Sequence, residues 1–155
     1  MLVPLDPTDR ALLEVLQTHG RMSNNELAER VGLSPSAALR RVRRLENDGV
    51  IDSYVALLDP SFIGRGTTAF VEISLASQEE AALDAFEAAV VQSPAVMACH
   101  LMAGDADYIV QVACADVADY ERIHRTHLAL LPGVTRIRSS FSLRTVANRT
   151  AFDLS

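Results

Sequence analysis

The sequence predicts an α+β chain in two parts: three short helices, then strands and helices in the order β-α-β-β-α-β. Three observations predict it. Up to Gly49, apolar residues recur at helical spacing behind good cap residues. After Thr67 the pattern turns to short apolar or alternating runs separated by helical stretches. Between the two lies Gly64-Arg65-Gly66, which reads as a flexible joint.

The first helix starts with Asp6 as cap and Pro7 at its first position, buries Leu12, Leu13, Val15 and Leu16, and ends at His19-Gly20. Ser23 caps the second, which runs through Arg30, and Glu26 completes a capping box. Its inward residues are Leu27, Ala28 and Val31, and Gly32 breaks it. Ser34 caps the third, Pro35 opens it, and Gly49 stands past its end. At about 100° per residue, Ala38, Leu39, Val42 and Leu45 fall on one side of this helix. Arg40, Arg43 and Arg44 fall on the other, with Arg41 on the flank. Two short helices joined by a tight glycine turn, the second cationic outward, is helix-turn-helix spacing.

Val50 to Leu58 reads as an extended strand closed by Asp59-Pro60. The next strand carries Ala69, Val71, Ile73 and Leu75 at period two. A helix follows with Leu83, Phe86, Ala89 and Val90 on its apolar face. Val96–Ala103 and Tyr108–Cys114 are strands flanking a hairpin turn at Gly104-Asp105-Ala106-Asp107. A second helix presents Val117, Tyr120, Ile123, His124, Leu128 and Leu131, closed by Pro132-Gly133. The last strand is Val134 to Val146. This order is the ferredoxin-like arrangement, with helices on one sheet face only. The other face needs cover, and pairing two copies is the obvious way to supply it. The expected division is a winged-type helix-turn-helix domain at 1–49, a linker strand and hinge at 50–66, and a ferredoxin-like domain at 67–155.

Composition narrows the function. The chain has 155 residues, 49% of them hydrophobic and 22% charged, which describes a globular protein with a real core. No apolar run approaches the ~18 residues that span a bilayer. Met1-Leu2-Val3-Pro4-Leu5-Asp6 lacks the basic start and apolar core of a signal peptide, so a cytoplasmic location is expected. The net charge is −6, so an arginine face on one helix is a local exception. All cations other than histidine are arginine, the side chain best suited to forking onto phosphate or guanine edges. Screening over about 8 Å lets such a face act despite acidic residues elsewhere in the chain.

Cys99 and Cys114 match no metal spacing or disulfide framework. In the tightest hairpin register Ala103 faces Asp107 and Cys99 faces Gln111, which puts the two thiols on opposite sheet faces. His124 and His127 share a helix without a supporting Cys or Glu, and His19 and His100 are scattered, so no metal and no cofactor are expected. No phosphate-cradling glycine loop or nucleophile elbow is present. Asp105 and Asp107 are paired carboxylates without an activated nucleophile beside them. Acid/base work, a metal, a clamp on a ligand's ammonium group and an ordinary turn role all remain open for them.

Taken together, these residues resemble the leucine-responsive/asparagine-synthetase regulator (Lrp/AsnC) family. The resemblance runs through Leu5-Asp6-x-x-Asp9, Gly20-Arg21-Met22-Ser23-Asn24, Glu26-Leu27-Ala28, Val31-Gly32-Leu33-Ser34-Pro35, Arg41-Val42-Arg43-Arg44-Leu45-Glu46 and Gly49-Val50-Ile51. It continues through Cys99-His100-Leu101-x-x-Gly104-Asp105-x-Asp107-Tyr108 and Leu131-Pro132-Gly133-Val134. It implies a regulator of transcription, not an enzyme, that binds double-stranded DNA and responds to an amino acid or related metabolite. It further implies a dimer that assembles to an octamer or a similar disc.

Ser34, Ser36, Ala37, Arg40 and Arg41 are then the candidates for bases or phosphates in the major groove, with Arg43 and Arg44 as phosphate clamps. The resemblance places the effector at Leu101, Ala103, Gly104, Asp105, Asp107 and Tyr108, with Ser140 and Ser142 supplying a partner wall. Ala103 stands where the family often has a small hydroxyl residue and Ala106 where it often has an aromatic, which implies a roomier, less polar pocket. Two alternatives are a tetrapyrrole-binding decarboxylase on the same architecture, with His100 as a contact, and a DNA-organising protein with little sequence preference.

Overall fold

The computed structural model describes residues 3–154. Met1 and Leu2, part of the N-terminal stretch read above, lie outside the described residues, as does Ser155. The chain divides into two compact units. One is formed by the chain up to Leu57 together with the stretch from Val146, and the other by Leu58–Thr145.

The first unit holds α1 (Pro7–Thr18), α2 (Asn24–Val31) and α3 (Pro35–Asn47). Each starts where its cap chemistry says. The Asp6 carboxylate accepts from the Asp9 amide at 2.8 Å, and the Asp9 carboxylate accepts from the Asp6 amide at 3.2 Å. Ser23 and Glu26 form the same reciprocal box on α2, and Ser34 Oγ accepts from the Ala37 amide at 3.3 Å on α3. These bonds satisfy amides that have no partner inside the helix. Gly32 ends α2 at φ +69°, a backbone state that favours glycine, so α3 can begin three residues later. Asn24 Nδ2 donates to the Pro35 carbonyl at 2.7 Å and ties the start of α2 to the start of α3. Leu12, Leu27, Ala28 and Ala38 form the buried centre, with Val15, Leu16, Met22, Val31, Leu33 and Val42 packed around it.

Two findings in this unit differ from expectation. The strand expected at Val50–Leu58 carries no ladder. An extended apolar run makes a strand only where a neighbouring backbone pairs with it. The C-terminal stretch, expected to belong wholly with the second domain, instead lies along α1. The Gln17 side chain accepts from the Phe152 amide at 2.7 Å and donates to the Phe152 carbonyl at 3.1 Å. Arg10 Nη1 donates to the Leu154 carbonyl at 2.7 Å.

The second unit contains β1 (Thr67–Leu75), α4 (Glu80–Val90), β2 (Val96–Leu101), β3 (Tyr108–Cys114), α5 (Val117–Thr126), a 3-10 turn at Leu128–Leu130 and β4 (Val134–Phe141). The sheet is antiparallel in the order β2-β3-β1-β4, the predicted ferredoxin-like topology. One face presents Ala69, Val71, Ile73, Tyr108, Val110, Val112 and Cys114 to Phe86 and Val90 of α4 and to Tyr120 and Ile123 of α5. The opposite face carries Phe70, Glu72, Gln111, Arg136, Arg138 and Ser140, because side chains alternate along each strand.

The register of the β2–β3 hairpin corrects one expectation. Met102, rather than Ala103, meets Asp107, through an N–H···O bond of 2.8 Å. Cys99 therefore pairs with Val110, not Gln111, and packs into the same core as Cys114. A one-residue slip turns every side chain to the other face. Both thiols are free, because Cys99 sits beside Val110 while Cys114 lies four residues further along β3.

Candidate functional site

The arginine face of α3 is built by helical geometry and then divided by α1. Around the helix the order is Arg43, Arg40, Arg44, Arg41, spread over about 160°. Arg41 Nη1 donates to Asp6 Oδ2 at 2.7 Å and to Asp9 Oδ1 at 2.8 Å. Arg44 Nη2 meets Asp9 Oδ2 at 2.5 Å, and its Nε lies 3.9 Å from Asp48. The Asp9 side chain is 1% exposed. Burial raises its carboxyl, but Arg44, the Asp6 amide and Arg41 outweigh that and hold it below the ordinary carboxylate range. The Arg41 hydrogen bond does the same to Asp6. Arg40 and Arg43 are exposed and make no ion pair among the described residues. Ser34 and Ser36 are exposed at the helix start, their hydroxyls 3.3 Å apart, and Ala37 is half-buried beside them.

The β2–β3 turn is divided in a similar way. Leu101, Ala103, Gly104 and Asp105 are exposed. Asp107 and Tyr108 are buried. Asp107 Oδ2 accepts from the Leu75 amide and Oδ1 from Gln78 Nε2, both at 2.7 Å. Its own amide donates to the Ile73 carbonyl at 3.0 Å. Asp107 thus pins the turn to the end of β1. Tyr108 stacks on Phe86 with ring centroids 4.4 Å apart and donates to Glu87 at 2.8 Å. Burial raises its phenol well above the ordinary range.

On the outer sheet face beside this turn lies a small polar recess. It is lined by Glu72, Ser74, Asp105, Ala106, Arg136 and Arg138. Arg138 Nη2 meets Glu72 at 2.5 Å across the β1–β4 ladder. Arg136 makes no ion pair among the described residues. Such a recess offers a carboxylate and a guanidinium to a small zwitterion. Its charges come from Glu72, Arg136 and Arg138 of β1 and β4 and from Asp105 of the turn. Ser140 faces Phe70 one step along the same face, and Ser142 donates its amide to the Thr68 carbonyl beyond the end of β4.

Residues 5–52 match the family model described as winged helix-turn-helix DNA-binding, and residues 68–152 match that of the Lrp/AsnC ligand binding domain. The chain belongs to the Lrp/AsnC family. It is 41% identical over 150 residues to the Bkd operon transcriptional regulator of Pseudomonas aeruginosa, covering 97% of this chain and 98% of that one. It is 42% identical over 135 residues to the leucine-responsive regulatory protein of Escherichia coli K12, covering 87% and 82%. The structure of a Neisseria meningitidis transcriptional regulator in complex with L-Met superposes with a TM-score of 0.92 at 37% identity, covering 97% of each chain. This Lrp/AsnC protein is a transcriptional regulator with a DNA-binding head and a ligand-binding domain. The decarboxylase alternative falls with that assignment, since these relatives are named as regulators.

Sequence reading grouped the four arginines of α3 as one face, but the structure splits them into two paired and two unpaired. It grouped Asp105 with Asp107, but only Asp105 faces outward. It missed Glu72, Ser74, Arg136 and Arg138 as neighbours of the turn. A signal for them existed: Arg136 and Arg138 alternate with Ile137, which places both opposite the core. What was missing was the β1–β4 register that sets them beside Glu72 and Ser74.

Proposed function

We propose that this Lrp/AsnC regulator reads specific DNA sequences through α3 and responds to a free amino acid or related metabolite at the Asp105 recess. In that reading Ser34, Ser36, Ala37, Arg40 and Arg43 approach the major groove, while Arg41 and Arg44 reach phosphate only when released from Asp6 and Asp9. Arg136 receives the effector carboxylate and Asp105 its ammonium group, with Leu101, Ala103 and Gly104 on the turn side. Ser140 and Ser142 line the approach from the neighbouring wall. The observation that carries the reading is the pairing of exposed Asp105 with unpaired Arg136 in one recess. The L-Met complex of the Neisseria relative supports the ligand class.

Dimers assembling towards octamers, in a cytoplasmic, nucleoid-associated protein, complete the proposal. Phe70, 45% exposed on the outer sheet face, supports self-association there. Effector binding favours one assembly and so changes which half-sites several heads engage together. The acidic net charge favours such cooperative binding over binding with little sequence choice.

A thermal-shift panel of the common amino acids tests the ligand. At least one raises the melting temperature of the wild type, and Asp105→Ala and Arg136→Ala each abolish that rise. A panel in which no amino acid shifts the transition, or in which both variants respond as the wild type does, refutes the site.

A further inference from the structure

Asp9 serves the α1 capping box, but capping does not explain why its carboxylate is buried. Asp6 already caps α1, and an exposed Glu at the position of Asp9 would complete the box, as Glu26 does on α2. Instead the Asp9 carboxylate is buried, with Oδ1 on Arg41 and Oδ2 shared between Arg44 and the Asp6 amide. A buried ion pair gives little net stability over an apolar contact of the same shape, so its use lies in the geometry it fixes. That geometry removes the Arg41–Arg44 flank from the cationic arc and leaves Arg40 and Arg43. Both captured side chains stay partly accessible, at 28% and 44%. They can therefore turn to solvent or phosphate when released, rather than being stranded.

We propose that Asp9, assisted by Asp6, is a specificity-determining residue. It withholds two of the four arginines of α3 from the DNA backbone. Phosphate contacts raise affinity for every sequence equally, so withholding them lowers binding to random DNA more than it lowers the advantage of the correct site. The inference rests on the reading of α3 as the DNA-facing helix.

The test uses the full chain and a labelled random-sequence duplex, with affinity measured from about 50 to about 200 mM salt. Asp9→Asn keeps the side-chain shape and removes the charge. Its slope of log affinity against log salt becomes steeper by about one to two per head, and its low-salt affinity rises. Asp6→Asn gives a smaller change in the same direction. In the wild-type background Arg41→Gln and Arg44→Gln leave the slope unchanged, whereas Arg40→Gln and Arg43→Gln each make it shallower by about one per head. A folded Asp9→Asn protein with an unchanged or shallower slope overturns the inference, as does a slope that Arg41→Gln lowers as much as Arg40→Gln does. If Asp9→Asn does not fold, the arginine variants decide alone. A slope that neither Arg40→Gln nor Arg43→Gln alters overturns the reading of α3 itself, and the inference with it.

Discussion

Asp107 shows how a side chain that reads as a ligand contact can instead be part of the scaffold. Its two oxygens are taken by Leu75 and Gln78, residues far away in sequence that meet it only in the folded sheet. Asp107→Ala strands the Leu75 amide and is expected to cost about 1–3 kcal/mol in chemical denaturation. Lost effector response in that variant would therefore report a loosened turn, which is why Asp105→Ala is the cleaner probe. Tyr108→Phe gives up only its bond to exposed Glu87, and the same measurement is expected to show a loss of about 0.5–1.5 kcal/mol. Residue types at the turn were legible in the sequence, because Gly104 and Asp105 carry their turn preference locally. The roles of Asp107 and Tyr108 were not, since burial and partner identity depend on segments brought together by the fold.

At the scale of elements, the helices were the most legible part. Asp6, Ser23 and Ser34 each announced a helix start that the structure keeps, since a cap acts within three residues of itself. Ser23→Ala is expected to cost about 1 kcal/mol by thermal melting. Strand limits were less legible. The last strand was expected to reach Val146 and stops at Phe141, and the apolar run at 50–58 found no ladder. Pairing, not alternation, defines a strand, and the pairing partner is written elsewhere in the chain. The α1–α3 contact adds a pH dependence. Asp6 and Asp9 have carboxyls lowered from their ordinary value by Arg41 and Arg44. Their pairing therefore contributes fully above the unfolded value of about 3.9 and is lost as pH falls through the lowered folded values. The melting temperature of the head should lose this contribution only below about pH 4, and Asp9→Asn should flatten that acid limb.

At the scale of the whole molecule, the order within the helical head and within the sheet domain was read correctly, because apolar period changes visibly between helix and strand. The open sheet face was foreseen on the same ground: helices packed on one side leave the other side uncovered. Phe70→Glu is expected to lower the mass of the protein in solution by light scattering, while the sheet core at Val71 and Ile73 stays intact. What no local pattern announced is the return of the C-terminal stretch to α1, because Gln17 and Phe152 carry no sign of each other until the chain closes on itself.

That return has a consequence for how the protein is made. The head is discontinuous: its helices are synthesised first, and the stretch that bonds Arg10 and Gln17 is synthesised after the whole sensor sheet. Between Leu57 and Phe152 the ribosome spends roughly 5–20 s at ordinary elongation rates. Through that interval the nascent DNA-reading unit stands without its final strap, and it gains the strap only once the sensor it serves has been completed.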